Sequence, residues 1–232
     1  MLLFSTIYDK AVHSFDDPEI NRAYVQNKIR FQKLMYPYLV NGIDSFHSPS
    51  KLVMALGDIE PPKGDYETFE GNGGDTYATT ISPLDNSEFL FSIENVIDEK
   101  AVYDAESKTV KFSREVLTGE TAMVQWYFCG QFNTDFSSCA TSNCPADYIA
   151  DKILGILSNC CVLARSDLEK NTILEIKNIL TDTDFKIYSP ANSVRAKVDW
   201  NKHIRYEVDT LQSELSWSLY ARRWHGGNFY GN

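Results

Sequence analysis

The sequence predicts an α+β fold, with a helical body formed by the N- and C-terminal helices and an antiparallel, sandwich-like β-domain inserted between them. Three observations carry this expectation. Apolar residues recur three and four apart over residues 1–45 and again over 145–225, which is the period of a helix with one buried stripe. Over residues 46–134 the pattern changes to short aromatic and β-branched runs separated by turn residues, the signature of antiparallel strands. The 232 residues are 43% hydrophobic and 13% aromatic, enough to bury a core. No apolar run reaches the roughly eighteen residues a membrane span needs.

In chain order, Ser5 is expected to cap a short helix carrying Ile7, Ala11 and Val12. Asp16 or Asp17 followed by Pro18 marks the start of a second. Its stripe runs through Ile20, Tyr24, Phe31, Leu34, Met35 and Tyr38. Pro37 and Asn41-Gly42 are expected to end it. From Gly57 to Asp75 the chain reads GDIEPPKGDYETFEGNGGD, so rich in glycine, proline and acid that an exposed loop or arm is expected. Its glycines lack the following helix and lysine of a phosphate loop; Thr76 to Ile81 reads instead as a strand. Glu88 to Ile93, Val96 to Tyr103, Thr109 to Phe112 and Thr121 to Phe128 form the meander.

Helix resumes after Cys144-Pro145, with Ile149, Ile153, Ile156 and Leu157 on one stripe, and Asp167 to Leu180 is expected to form another. Asp184 to Tyr188 reads as a short extended approach. Ser189 then caps a last helix opening at Pro190. Val194, Val198, Ile204, Val208, Leu211, Leu215 and Leu219 are its inward candidates. Continuous to Arg222 it holds about 32 residues and spans about 48 Å, longer than a small domain needs to cover its core. Residues 226–232 follow as a flexible tail.

Chemistry is sparse. His13, His47, His203 and His225 form no helical pair and no HExxH motif. Asp182 and Asp184 beside two threonines read as a loop or cap, and no nucleophile motif or dinucleotide fingerprint appears. Cys129, Cys139, Cys144, Cys160 and Cys161 fit neither the two close pairs of a zinc site nor a disulfide framework. They are expected to be reduced thiols. The expectation is a protein that is not an enzyme and has no cofactor or metal. MLLFSTIYDK lacks the basic start and cleavage site of a signal peptide, so synthesis in the cytoplasm is expected. A net charge of −10 opposes a grip on phosphate backbones, although carboxylates also suit the lining of a passage that lets DNA through without holding it. The basic clusters KIRFQK and YARRWH read as helix surface.

Four stretches in order, FDDPEINRAYVQNKIRFQKLMYPYL, ENVIDEKAVYDAESKTVKFS, QWYFCGQFNTDFS and DFKIYSPANSVRA, resemble the neck, or head-to-tail connector, proteins of tailed bacteriophages. The CATSNC loop and the Gly57 to Asp75 segment lie outside that pattern. The resemblance implies a virion structural protein made in the host cytoplasm, a homo-oligomeric ring between portal and tail with a dodecamer among its possible sizes. Portal, tail and other neck proteins are the implied partners; DNA passes through without specific binding, and no membrane is involved. It carries over no catalytic residues. Trp217, Arg222, Arg223, Trp224, Phe229 and Tyr230 are the candidate assembly contacts, because Trp217 and Trp224 lie off the apolar stripe and aromatic residues anchor interfaces. The alternative is a β-sandwich module that binds carbohydrate or a host surface on an aromatic platform of Tyr103, Trp126 and Tyr127.

Overall fold

The computed structural model describes residues 1–14, 24–25, 27–46, 49–142, 144–180 and 190–220, with side chains outside the description at 165–180, 190–197 and 220. Helices α1 (Phe4–Ser14), α2 (Lys28–Asp44) and α3 (Ser50–Gly57) come first. Strands follow at β1 (Ile59–Glu60), β2 (Lys63–Glu70), β3 (Thr76–Ala78), β4 (Glu88–Ile93), β5 (Val96–Ile97), β6 (Val102–Asp104), β7 (Thr109–Lys111), β8 (Thr121–Phe128) and β9 (Gln131–Phe132). A short 3-10 turn (Ser137–Cys139) precedes the long helices α4 (Ala146–Leu180) and α5 (Pro190–Tyr220). The chain is an α+β fold in which N- and C-terminal helices flank antiparallel sheets.

The sheets run β2-β8-β4-β5, β3-β7-β6 and β1-β9. The first two share a core. Phe69 meets Tyr77 at 5.2 Å and Phe91 meets Phe112 at 6.5 Å across them, and Val110, Ala122 and Val124 between the rings are fully buried. Alternation along β8 decides which core each side chain joins. Ala122, Val124, Trp126 and Phe128 face the other sheet, while Tyr127 belongs to the helical core. That helical core is built on α4, which packs against α1, α2 and α5 through Ile149, Ile153, Ile156 and Leu157, all fully buried.

Several local expectations are corrected by tertiary partners. Ser5 lies inside α1 instead of capping it. The Phe4 amide donates to the Gly130 carbonyl at 3.0 Å and the Ser5 amide to Cys129 Sγ at 3.2 Å, so the amides a cap would satisfy are taken by the segment after β8. The Asp16-Asp17-Pro18 start falls outside the described residues, and α2 begins with the Asn27 side chain accepting from the Arg30 amide at 2.9 Å.

Pro37 does not end α2, which continues to Asp44. Its ring is exposed, so the hydrogen bond lost there faces water. Met35 and Leu39 on either side are 2% and 0% exposed, burial that offsets a proline cost of about 3 kcal/mol. Leu34, expected on the buried stripe, is 58% exposed, because Ile29, Gln32, Met35 and Leu39 form the inward face.

Within the span expected to be β, SKLVMALG forms α3, with Leu52 and Leu56 buried one turn apart. The expected loop between Gly57 and Asp75 holds β1 and all of β2, paired residue for residue with β8 from Lys63↔Phe128 to Glu70↔Thr121. Its acids are tolerated because β2 is an edge strand with only Phe69 buried. Burial raises the Glu67 pKa, but hydrogen bonds from Thr79 and Thr80 outweigh this and hold it below the ordinary value. The run from Val96 to Tyr103 divides into β5 and β6 on different sheets, with a turn at 98–101. The two helices expected between 145 and 180 are one, since no glycine or proline interrupts residues 156–180.

Two helix glycines test the packing. A Cβ on Gly42 would lie 2.9 Å from Cys160 Cβ, whereas one on Gly155 would lie 3.6 Å from Leu211 Cδ1. Gly42→Ala is expected to force α2 away from α4 and lower stability by about 2 kcal/mol. Gly155→Ala keeps ordinary contact and gains helix propensity, so it should raise stability by about 0.5–1 kcal/mol. Urea midpoints of the two variants, read against wild type, check the opposite signs.

Candidate assembly surface

Trp217 and Tyr206, the most exposed of the described aromatic side chains, stand on helix α5. Its bonds to α4 fix an antiparallel register: Lys152 pairs with Glu214, Gly155 lies against Leu211, and the Asn159 amide donates to Glu207 Oε2 at 3.4 Å. One step of seven on α4, divided three and four, is met by the same step in reverse on α5, the spacing of one heptad of a coiled-coil seam. Asn201, Ile204, Val208 and Leu215 face α4 at 5%, 4%, 8% and 1% exposure. Leu211 and Leu219 pack partly buried against the same core. The hydrogen bond that the Lys152 ammonium donates to Glu214 holds its pKa above the ordinary lysine value, and the same Nζ lies 5.3 Å from the Tyr148 ring centre.

Among the described residues, the opposite face of α5 has no comparable cover. Tyr206 and Trp217 are 70% and 75% exposed, with Asp209 and Ser213 exposed on the stripe between them. Trp217 forms a ridge between two open grooves. One, of about 710 Å³, is lined by Tyr148, Tyr206, Asp209, Glu214 and Trp217. The other, of about 450 Å³, is lined by Ser45, Phe46, Asp209, Gln212 and Trp217. The indole therefore stands beside carboxylates and a second aromatic helix face, a composition suited to docking a basic and apolar surface.

Of the candidate contacts, Trp217 is placed on this ridge. Arg222, Arg223, Trp224, Phe229 and Tyr230 lie outside the described residues, as do Ser189, His47, His225, Asp182, Asp184 and residues 226–232. Tyr148 and Tyr206 were missed because no sequence pattern brings residues 58 positions apart to one groove. Tyr206 did lie off the apolar stripe of α5, at a helical interval from Trp217, and that was the available signal.

The aromatic platform of the alternative reading does not form. Trp126 is buried between the sheets and its neighbour Tyr127 in the helical core, at 8% and 6% exposure. Tyr103 stacks on Phe89 with centres 5.1 Å apart. Adjacent residues of one strand point to opposite faces, so Trp126 and Tyr127 cannot present a common surface.

The cysteines occur as free thiols, four buried and Cys160 half-buried. Burial pushes the thiol pKa up at Cys129, Cys144 and Cys161, and at Cys160 to about 11, which keeps these sulfurs protonated and weakly nucleophilic near neutral pH. Among the described residues, no three His, Cys, Asp or Glu side chains are grouped to hold a metal ion. No described helix is long and apolar enough to cross a membrane. His203 sits 3.3 Å from Glu207 on the surface of α5, and His13 is exposed at the end of α1.

Charge is unevenly divided. Residues 58–135 contain 16 acidic and 5 basic side chains, a net −11, while the remaining residues contain 16 acidic and 17 basic, a net +1. The acidity of the chain thus belongs to the sheets and their loops. The basic KIRFQK cluster on α2 partly offsets it at the junction, where Lys28 bonds Glu88 at 2.6 Å and Lys33 lies 5.1 Å from the Tyr127 ring centre.

Comparison with protein-family models finds no matching family, and comparisons with curated proteins and with solved structures find no match.

Proposed function

We propose that this chain is a structural component of a tailed-phage neck, forming a ring between portal and tail that lines the DNA passage. The observation that carries the reading is the outer face of α5, where an indole 75% exposed stands between two grooves on a helix packed chiefly on α4. An aromatic ridge rimmed by polar groups is the kind of surface that marks protein contacts, and a ring subunit needs one on each neighbour-facing side. The charge division supports it as well. In this reading the acidic β-domain faces the passage, where carboxylates repel the duplex and keep it sliding, and the near-neutral helical body makes the contacts between subunits and with portal and tail.

The role is mechanical, with no bond made or broken, and the location is the virion neck. Electron microscopy of intact particles carrying a fused density tag on this chain tests it. A tag ring between portal and tail is the expected result, and its symmetry gives the copy number. Particles with an intact neck and no tag density overturn the reading.

A further inference from the structure

We infer that the α5 ridge docks on the N-terminal half of α2 of a second copy of this chain, head to tail. The inference rests on the ring reading and names its subunit contact. Each surface is incomplete in a complementary way. The α5 face carries acid and aromatic groups: Asp209 lines both grooves beside Trp217, Tyr148 and Tyr206 line the larger, and Glu214 there is already paired with Lys152. The N-terminal half of α2 carries base and aliphatic groups on its outer face: Arg30, Lys33 and Leu34 are exposed, Leu34 at 58%.

The two surfaces cannot meet within one chain. Ser45, just past the end of α2, borders the smaller α5 groove, and Arg30 to Lys33 lie about 20 Å back along the helix axis from it. A contact between unlike faces is heterologous, and repeated head to tail it builds a ring where its rotation closes, whereas a contact of α5 with itself would stop at a dimer. Opposite charges at the rim of an aromatic anchor set register and partner choice, so Asp209 facing Arg30 and Lys33 of the next copy would fix which faces pair.

A charge exchange tests the pairing. Asp209→Arg and Arg30→Asp are made singly and together in the full chain, and mass is measured by sedimentation across a concentration series, with circular dichroism as the check on folding. Both positions are exposed, so the variants should fold. Wild type is expected to assemble, each single variant to shift to the monomer at concentrations where wild type is assembled, and the double variant to return toward wild type. A wild type monomeric throughout, single variants that assemble normally, or a double variant as dissociated as the singles would each overturn the pairing. Neck localisation is read separately in particles: an untagged neck with a working charge exchange removes the neck reading and leaves the contact standing.

Discussion

Leu215→Asp is expected to unfold α5 from the body, while Trp217→Asp, two residues along, leaves the fold intact. Leu215 is 1% exposed and faces α4; Trp217 is 75% exposed. Removing the leucine from the seam costs about 2–5 kcal/mol, and a carboxylate left there without a partner adds a desolvation cost of a few kcal/mol. The sum approaches the whole stability of a typical domain, about 5–15 kcal/mol. At position 217 the same aspartate meets water, and only helix propensity opposes it, by about 0.5 kcal/mol. Thermal melts followed by circular dichroism read the contrast. Equal melting temperatures for the two variants would mean that α5 does not pack as described. The same pair separates fold from assembly, because Trp217→Asp should retain the wild-type melt of the monomer and lose the oligomer.

Gly130→Ala is expected to cost about 3 kcal/mol or more, an effect out of scale with a single added methyl group. Two penalties coincide. Gly130 has φ +95, a region where a Cβ strains the backbone by about 1–3 kcal/mol. An added Cβ would also lie 2.7 Å from the Phe4 ring and 2.9 Å from the Glu60 carbonyl oxygen, and relieving such overlap costs about 1–3 kcal/mol. Turning the Phe4 ring away gives up its edge contact with Phe132 at 5.1 Å, and shifting the α1 backbone instead strains the bond from the Phe4 amide to the Gly130 carbonyl. Those contacts tie α1 to β9. The variant should therefore lose the α1 amide protection seen by hydrogen exchange before the sheets open, and full α1 protection together with an unchanged denaturation midpoint would refute the account. Gly119, at φ +94 with open space around its Cβ, is the control in which strain acts alone.

Much of the order of elements was legible because it is written in local period. The bounds of β4 and β8 were readable to the residue, since Glu88 to Ile93 and Thr121 to Phe128 combine β-branched and aromatic residues with turns on either side. The start of α5 at Pro190 was legible from a residue that suits the first helical turn. Trp217 stood out because it broke the stripe of its own helix. Its groove neighbour Tyr148 did not, since it lies on another helix and nothing nearby in sequence marks it.

What the sequence alone determined is therefore the identity of most elements and the residues each one can bury, because helix and strand periods depend on neighbours a few positions away. What only the tertiary structure decided is how partners distant in sequence overrule those preferences. β2 is a strand despite its glycine and acid because β8, more than fifty residues later, satisfies its backbone. α1 starts at Phe4 because Gly130 accepts its amide. α2 runs through Pro37 because the cluster around α4 buries Met35 and Leu39 on either side of it. A backbone hydrogen bond or a buried side chain contributes the same free energy whether its partner is four residues away or a hundred, and only the folded chain says which partner it has.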